Sequence, residues 1–137
     1  MPTPARWLIK TGLLYLVAAL AVGLWRTGQA VGLVPGAPVT LWLPQLHFLT
    51  VGWITQLIFG VAFWLFPRPP AGLTTRWTAL VWIAYGLLNG GLLLRFLAEP
   101  GWMSPPLEQW GLGLSAVLQW TAGLLFVVHF WPRIHSK

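Results

Sequence analysis

The stretch HFLTVGWITQLIFGVAFWLFPR, residues 47–68, decides the fold of this chain. It is apolar over a length that crosses the hydrocarbon core of a bilayer as a helix, for which about 20 residues are enough. His47 stands at its start and is the only ionisable side chain before Arg68. Ionisable groups inside a span are costly, so His47 is a candidate functional residue.

Composition extends this conclusion to the whole chain of 137 residues. It is 57% hydrophobic and only 7% charged, with a mean hydropathy of +0.72, too apolar for a soluble domain. We therefore predict an all-α fold, a single integral membrane four-helix bundle covering residues 1–137 within the lipid bilayer. The predicted spans are at about 7–25, 46–66, 77–97 and 110–131.

The basic residues predict the orientation of the spans. Most of them fall at the start of span one, between spans two and three, or after span four: Arg6, Lys10, Arg68, Arg76, Arg133 and Lys137. The other side has only Arg26 and Arg95, so the positive-inside rule places both termini in the cytoplasm. We expect a multi-pass protein of the plasma (inner) membrane, with span one retained rather than cleaved as a signal peptide.

The residues that are absent exclude several kinds of chemistry. Without cysteine there are no disulfides, iron–sulfur clusters or covalently attached c-type heme. Aspartate is absent and the two glutamates lie in one loop, so acid–base and dinuclear-metal enzyme schemes lack their residues, and an enzyme is not favoured. The net charge of +6 follows from the orientation, and we expect no nucleic-acid partner.

Three polar side chains are expected near the same level of the membrane. His47 opens span two, Arg95 lies near the end of span three, and Arg26 closes span one, before a Gly- and Pro-rich loop predicted from Arg26 to Leu43. Arg95 and Arg26 could hold carboxylates of a bound molecule. Arg95 could equally be a snorkelling residue that pairs with Glu99, four positions on.

The other candidates lie farther along the spans. Trp53 is well inside span two, where it either packs between helices or contacts a planar cofactor. His129, at the end of span four, is expected most of a membrane thickness from His47, so the two cannot share a ligand within one chain. His135 follows in the tail and is expected to be solvated.

The His47 block resembles helix two of subunit I in the heme-copper oxidase superfamily, especially its nitric oxide reductase branch. The likeness rests on His47, Gly52-Trp53, Ile58-x-Gly60 and the ending Trp64-x-Phe66-Pro67. The segments Asn89–Arg95 and Gln119–Trp131 are similar to parts of small four-span proteins that accompany nitric oxide reductases. The large subunit has about twelve spans and further histidines, which this chain lacks.

The resemblance implies that His47 is an axial ligand of heme b, with Arg26 and Arg95 near the propionates and Trp53 packed nearby. It implies a heme protein accessory to respiration or denitrification, acting in electron transfer, gas sensing or heme handling. One His47 per chain suggests either a heme shared across a homodimer or a five-coordinate heme with an open site. The alternative is a cofactor-free helper that binds and stabilises a respiratory oxidase or nitric oxide reductase subunit.

The predicted sidedness can be tested by labelling single cysteines in intact cells. Cysteine at Pro35 or Met103 should react with an impermeant thiol reagent from outside, because both positions lie in predicted external loops. Cysteine at Gly72 should react only after the membrane is permeabilised. The reverse pattern would invert the orientation.

Overall fold

The computed structural model describes residues 1–36, 39–66 and 74–134, which are helical almost throughout. Four long helices follow one another, which we number α1 (Thr3–Ala30), α2 (Trp42–Leu65), α3 (Thr74–Ala98) and α4 (Pro105–Phe130). Each is long and apolar enough to cross a membrane, which confirms the predicted all-α class with four candidate spans. The described residues exclude five used above, Pro67, Arg68, Gly72, His135 and Lys137. Sidedness stays a prediction.

The predicted loop from Arg26 to Leu43 is shorter than expected. Helix α1 runs on to Ala30, and α2 begins at Trp42 after a short 3-10 turn. The chain leaves α1 just before Gly32, whose φ of 76° is a left-handed conformation that glycine adopts without steric cost. Arg26 therefore lies on a regular helix, one turn before its end.

Two helical hairpins, α1 with α2 and α3 with α4, form the bundle. Neighbours along the chain run in opposite directions, so α1 is parallel to α3 and α2 is parallel to α4. Thr11 of α1 bonds Tyr85 of α3, and Phe59 of α2 stacks on Phe126 of α4. We call the end where α2 begins the His47 end and the end where α4 finishes the His129 end.

The middle of α2 is wound unusually, as a π-helix from Phe48 to Thr55. The hydroxyl of Thr50 bonds a carbonyl four residues back, whereas the hydroxyl of Thr55 bonds one five residues back, which the wider π turn brings within reach. Buried residues recur every four positions along α2, through the π-helical segment and on both sides of it: Pro44, Phe48, Gly52, Gln56 and Gly60. In a regular α-helix, residues four positions apart would move about 40° around the helix axis at each step. The π-helical segment has more residues per turn, which offsets this rotation and keeps the series facing the core.

Glycines bring α1 and α2 into close contact along this buried face. A Cβ added to Gly52 would lie 2.6 Å from Cγ of Tyr15, and one on Gly12 would lie 3.3 Å from the carbonyl of Trp53. A Cβ on Gly60 would lie 2.8 Å from the side chain of Ile9. Small residues at such positions let helix backbones approach and gain van der Waals contact.

Polar side chains join three helices in the middle of the bundle. Gln56 is fully buried and exchanges hydrogen bonds of 3.1 and 3.4 Å with Asn89 of α3. Asn89 also donates to the carbonyl of Tyr85, whose hydroxyl bonds Thr11 of α1 at 2.7 Å. Asn89 is thus an interhelical hydrogen-bonding group. Buried amides need such partners, because an unmet hydrogen bond costs about 1–3 kcal/mol.

Gly52→Ala should destabilise the bundle by about 1–3 kcal/mol, because the new methyl group meets Tyr15 close to its backbone. Gly86→Ala is the matched control: a Cβ there meets nothing within 4 Å, so it should be neutral or slightly stabilising. Thermal unfolding in detergent, followed by circular dichroism, measures both. Equal stability of the two variants would show that the α1–α2 contact tolerates a methyl group.

Candidate functional site

His47 is held in one orientation by the backbone of its own helix. Its Nδ1 lies 2.9 Å from the carbonyl oxygen of Leu43, so Nδ1–H donates and Nε2 keeps its lone pair. The side chain is 23% exposed, open to the outside of the bundle in part. An imidazole fixed in this way presents Nε2 to a ligand. This is the arrangement that histidines bound to metals commonly have.

Glu99 lies beside His47 and is the functional residue that the sequence analysis did not assign to the site. It follows the last residue of α3, yet its side chain is only 6% exposed. One oxygen, Oε1, accepts from Nε of Arg95 at 3.2 Å, and the other, Oε2, lies 3.6 Å from Nδ1 of His47. The four-residue spacing from Arg95 was the signal for the ion pair. Its burial against α2 depends on the fold.

Together, His47, Glu99 and Arg95 place a carboxylate between a guanidinium and an imidazole. The pairing of Arg95 with Glu99 that the spacing allowed is present. The Oε2 atom has no hydrogen-bond donor within the described part of the chain. A carboxylate beside Nδ1–H of an imidazole helps to hold the ring in that tautomer and orientation.

Aromatic rings pack beneath this group. Phe48, next to His47, stacks on Phe96 of α3 with the ring centroids 5.2 Å apart and also contacts Tyr15 of α1. Trp102 meets the other side of Phe96 edge-on. These contacts fix the start of α2 against α3, and so set the distance between His47 and Glu99.

Arg26 lies at the same end of the bundle but contacts a different side of α2. Its Nη1 donates to Oε1 of Gln45 at 2.7 Å. Gln45 precedes His47 by two residues, about 200° around a helix, so the two side chains leave α2 in nearly opposite directions. Within one chain, the structure therefore brings together His47 and Arg95 but not Arg26.

Trp53 lies inside the π-helical segment and packs toward α1. Its carbonyl faces Gly12, and its indole nitrogen is buried with no acceptor among the described residues. It lies six positions after His47 along α2. Whether the indole packs between helices or contacts a planar cofactor stays a prediction.

His129 is buried at the other end of the bundle, as its position in span four suggested. Its ring stacks on Phe63 at 5.3 Å and meets Trp77 and Phe130 edge-on. It is fully buried, and neither ring nitrogen makes a hydrogen bond within the described part of the chain. This enclosed ring has no accessible nitrogen for an external ligand. The described histidines therefore occupy two separate environments.

Among residues 1–36, 39–66 and 74–134, no three histidine, cysteine or acidic side chains come together as a metal site. A metal ion held by protein ligands alone would need such a group. The His47 group can instead supply one nitrogen ligand to a metal that has its other ligands elsewhere.

No family model, no curated protein and no solved structure matches this chain. The function proposed below therefore rests on the geometry of the His47 end.

Glu99→Gln should lower the free energy of unfolding by about 1–3 kcal/mol, since it removes the charge that Arg95 and His47 face. The matched control is Glu108→Gln, in the first turn of α4, where the described residues make no ion pair with the carboxylate. Thermal unfolding at neutral pH compares them. If the two substitutions have the same small effect, the Glu99 cluster does not hold α3 against α2.

Proposed function

We propose that this chain is an integral membrane heme b protein, accessory to respiration or denitrification, in which His47 is an axial ligand. The observation that carries the proposal is the hydrogen bond from Nδ1 of His47 to the Leu43 carbonyl, which leaves Nε2 free on a partly exposed ring. The resemblance of the His47 block to oxidase subunit I, noted above, points to the same residue.

The residues around His47 fit one side of a heme. Ligating histidines usually donate their other ring N–H to a carbonyl or a carboxylate, and Leu43 and Glu99 offer both. Arg95 is 24% exposed beside them, and its guanidinium could pair with a propionate while it keeps Glu99. Bound heme would supply a one-electron centre or a site for a diatomic gas. The chain's own part is to orient the imidazole and to balance the charge.

The number of histidines available as axial ligands supports a two-fold homodimer. The only other described histidine, His129, is enclosed at the far end of the bundle. A second axial imidazole at the His47 level would then come from a second copy of the chain, and an isologous dimer is the commonest symmetric assembly. The alternative is one heme per chain with an open coordination position. In either form, we propose that the protein lies in the plasma membrane with both termini on the cytoplasmic side.

A second candidate, a cofactor-free helper of a respiratory oxidase or nitric oxide reductase subunit, is favoured by one feature of α3. Gly86 and Gly90 are both exposed, and an added Cβ at either would meet nothing within 4 Å. This small-xxx-small pair is suited to packing against another helix in a membrane. The helper interpretation needs no heme.

Purified full-length protein, produced with ample heme, should show a b-type absorption spectrum, and His47→Ala should abolish it because the axial ligand is lost. His135→Ala is the control for adventitious binding by a histidine, and should keep full heme. One heme per two chains with a low-spin spectrum supports the shared site, whereas one per chain with a high-spin spectrum supports the open site. Full heme in His47→Ala, or none in the wild type, would leave the helper as the function.

A further inference from the structure

The guanidinium of Arg26 faces no carboxylate in the part of the chain that the structure describes. Its hydrogen-bond partner there is the neutral amide of Gln45. Both ion pairs among the described residues use Glu99, and the only other acid in the sequence is Glu108, on the first turn of α4. A positive charge in an apolar protein surface favours an anion from outside the chain.

The length of α1 places Arg26 at the edge of the hydrocarbon. With 28 residues, α1 is about 42 Å long, which matches a bilayer including its headgroups rather than the core of about 30 Å. If α1 is centred, about 6 Å of helix extends beyond the core at each end. Arg26 lies about 35 Å from the start of α1, about 1 Å inside the edge of the core, from which its long side chain can reach the lipid phosphates. Trp25 and Trp42 are exposed near this level, as expected for an interfacial belt.

Two open grooves lie on either side of the Arg26–Gln45 hydrogen bond. The larger, about 590 Å³, runs along α1 past Leu20 and Leu24. The smaller, about 280 Å³, runs along α2 past Leu46 and Leu49, with Trp42 at its edge. Arg26 and Gln45 line both grooves, Thr27 adds a hydroxyl to the larger one, and the other walls are mostly apolar. A ligand that fits both would have an anionic head and two apolar chains.

Gln45 holds the guanidinium between the grooves because Gly23 makes room for it. A Cβ at Gly23 would lie 2.6 Å from Nε2 of Gln45. The amide therefore lies against the backbone of α1, and Oε1 receives one N–H of Arg26. Arginine has five such donors, so several remain for a phosphate, which it can bind in a bidentate manner.

We propose that Arg26 and Gln45 bind the headgroup phosphate of an anionic phospholipid, whose two acyl chains lie in the flanking grooves. The charge selects an anionic lipid over a zwitterionic one, since no carboxylate is described near Arg26 to bind the cationic group of the latter. The apolar walls select a lipid over free phosphate. This site lies on the side of α2 away from His47, and does not depend on whether the chain binds heme.

The test uses delipidated full-length protein in a neutral detergent, mixed with equal amounts of phosphatidylglycerol and phosphatidylcholine, with bound lipids counted by native mass spectrometry. Wild-type protein should retain phosphatidylglycerol in preference. Arg26→Gln should weaken that binding about tenfold, the loss expected for a charge-assisted hydrogen bond. Arg6→Gln is the matched control, because Arg6 is exposed at the other end of the same helix and should leave this binding unchanged.

Two further variants separate positioning from charge. Gly23→Ala keeps Arg26 but displaces Gln45, so it should weaken phosphatidylglycerol binding while leaving thermal unfolding nearly unchanged, because the atom displaced is the end of a flexible side chain. Arg26→Lys keeps the positive charge but loses the forked guanidinium, so it should retain part of the binding. It provides a second variant at this position in case Arg26→Gln does not fold.

Four results would overturn the proposal. These are equal binding by wild type and Arg26→Gln, an equal loss in Arg6→Gln, equal retention of the two lipids, and full displacement of phosphatidylglycerol by inorganic phosphate. A heme spectrum that changes in Arg26→Gln while lipid binding does not would assign Arg26 to a propionate instead.

Discussion

A polar group inside an apolar bundle costs free energy unless it finds a hydrogen-bond partner within the bundle, and two such pairs fix the arrangement of these helices. The Gln56–Asn89 pair meets it between α2 and α3. The hydroxyl of Ser115, which donates to the carbonyl of Gly91, meets it between α3 and α4. Each bond forms only at one rotation of the two helices about their axes and one displacement along them, because successive helical side chains are about 100° apart. Apolar packing alone would tolerate other registers.

The π-helical segment connects this core to the candidate site. It keeps Gly52 and Gln56 on the same buried face as Phe48, so the α1 contact and the polar pair are formed by one continuous stripe. With Phe48 fixed against Phe96, His47 lies beside Glu99 on the neighbouring face. π-helical turns are rare and occur often at functional sites. Here the winding serves packing and orientation together.

The His47 end has two charged faces that differ in chemistry. On the α3 side, the carboxylate of Glu99 pairs with Arg95 and lies 3.6 Å from the imidazole of His47. On the α1 side, the partner of Arg26 among the described residues is the neutral amide of Gln45, so no carboxylate compensates the guanidinium there. The separation follows from Gln45 and His47, two residues apart on α2, whose side chains point to opposite neighbours. Two different ligands are therefore proposed at one end of a small bundle.

The amino-acid sequence by itself determined the class of the fold and its four apolar helices, because length, hydropathy and the paucity of charge are local properties. It also determined that His47 stands alone as a candidate ligand, and that Arg95 is spaced to pair with Glu99. Tertiary structure alone decided that Glu99 is buried beside His47 and that Arg26 bonds Gln45. Those contacts depend on helix rotation, on the π winding and on how far α1 extends, and these are set by packing between helices distant in sequence.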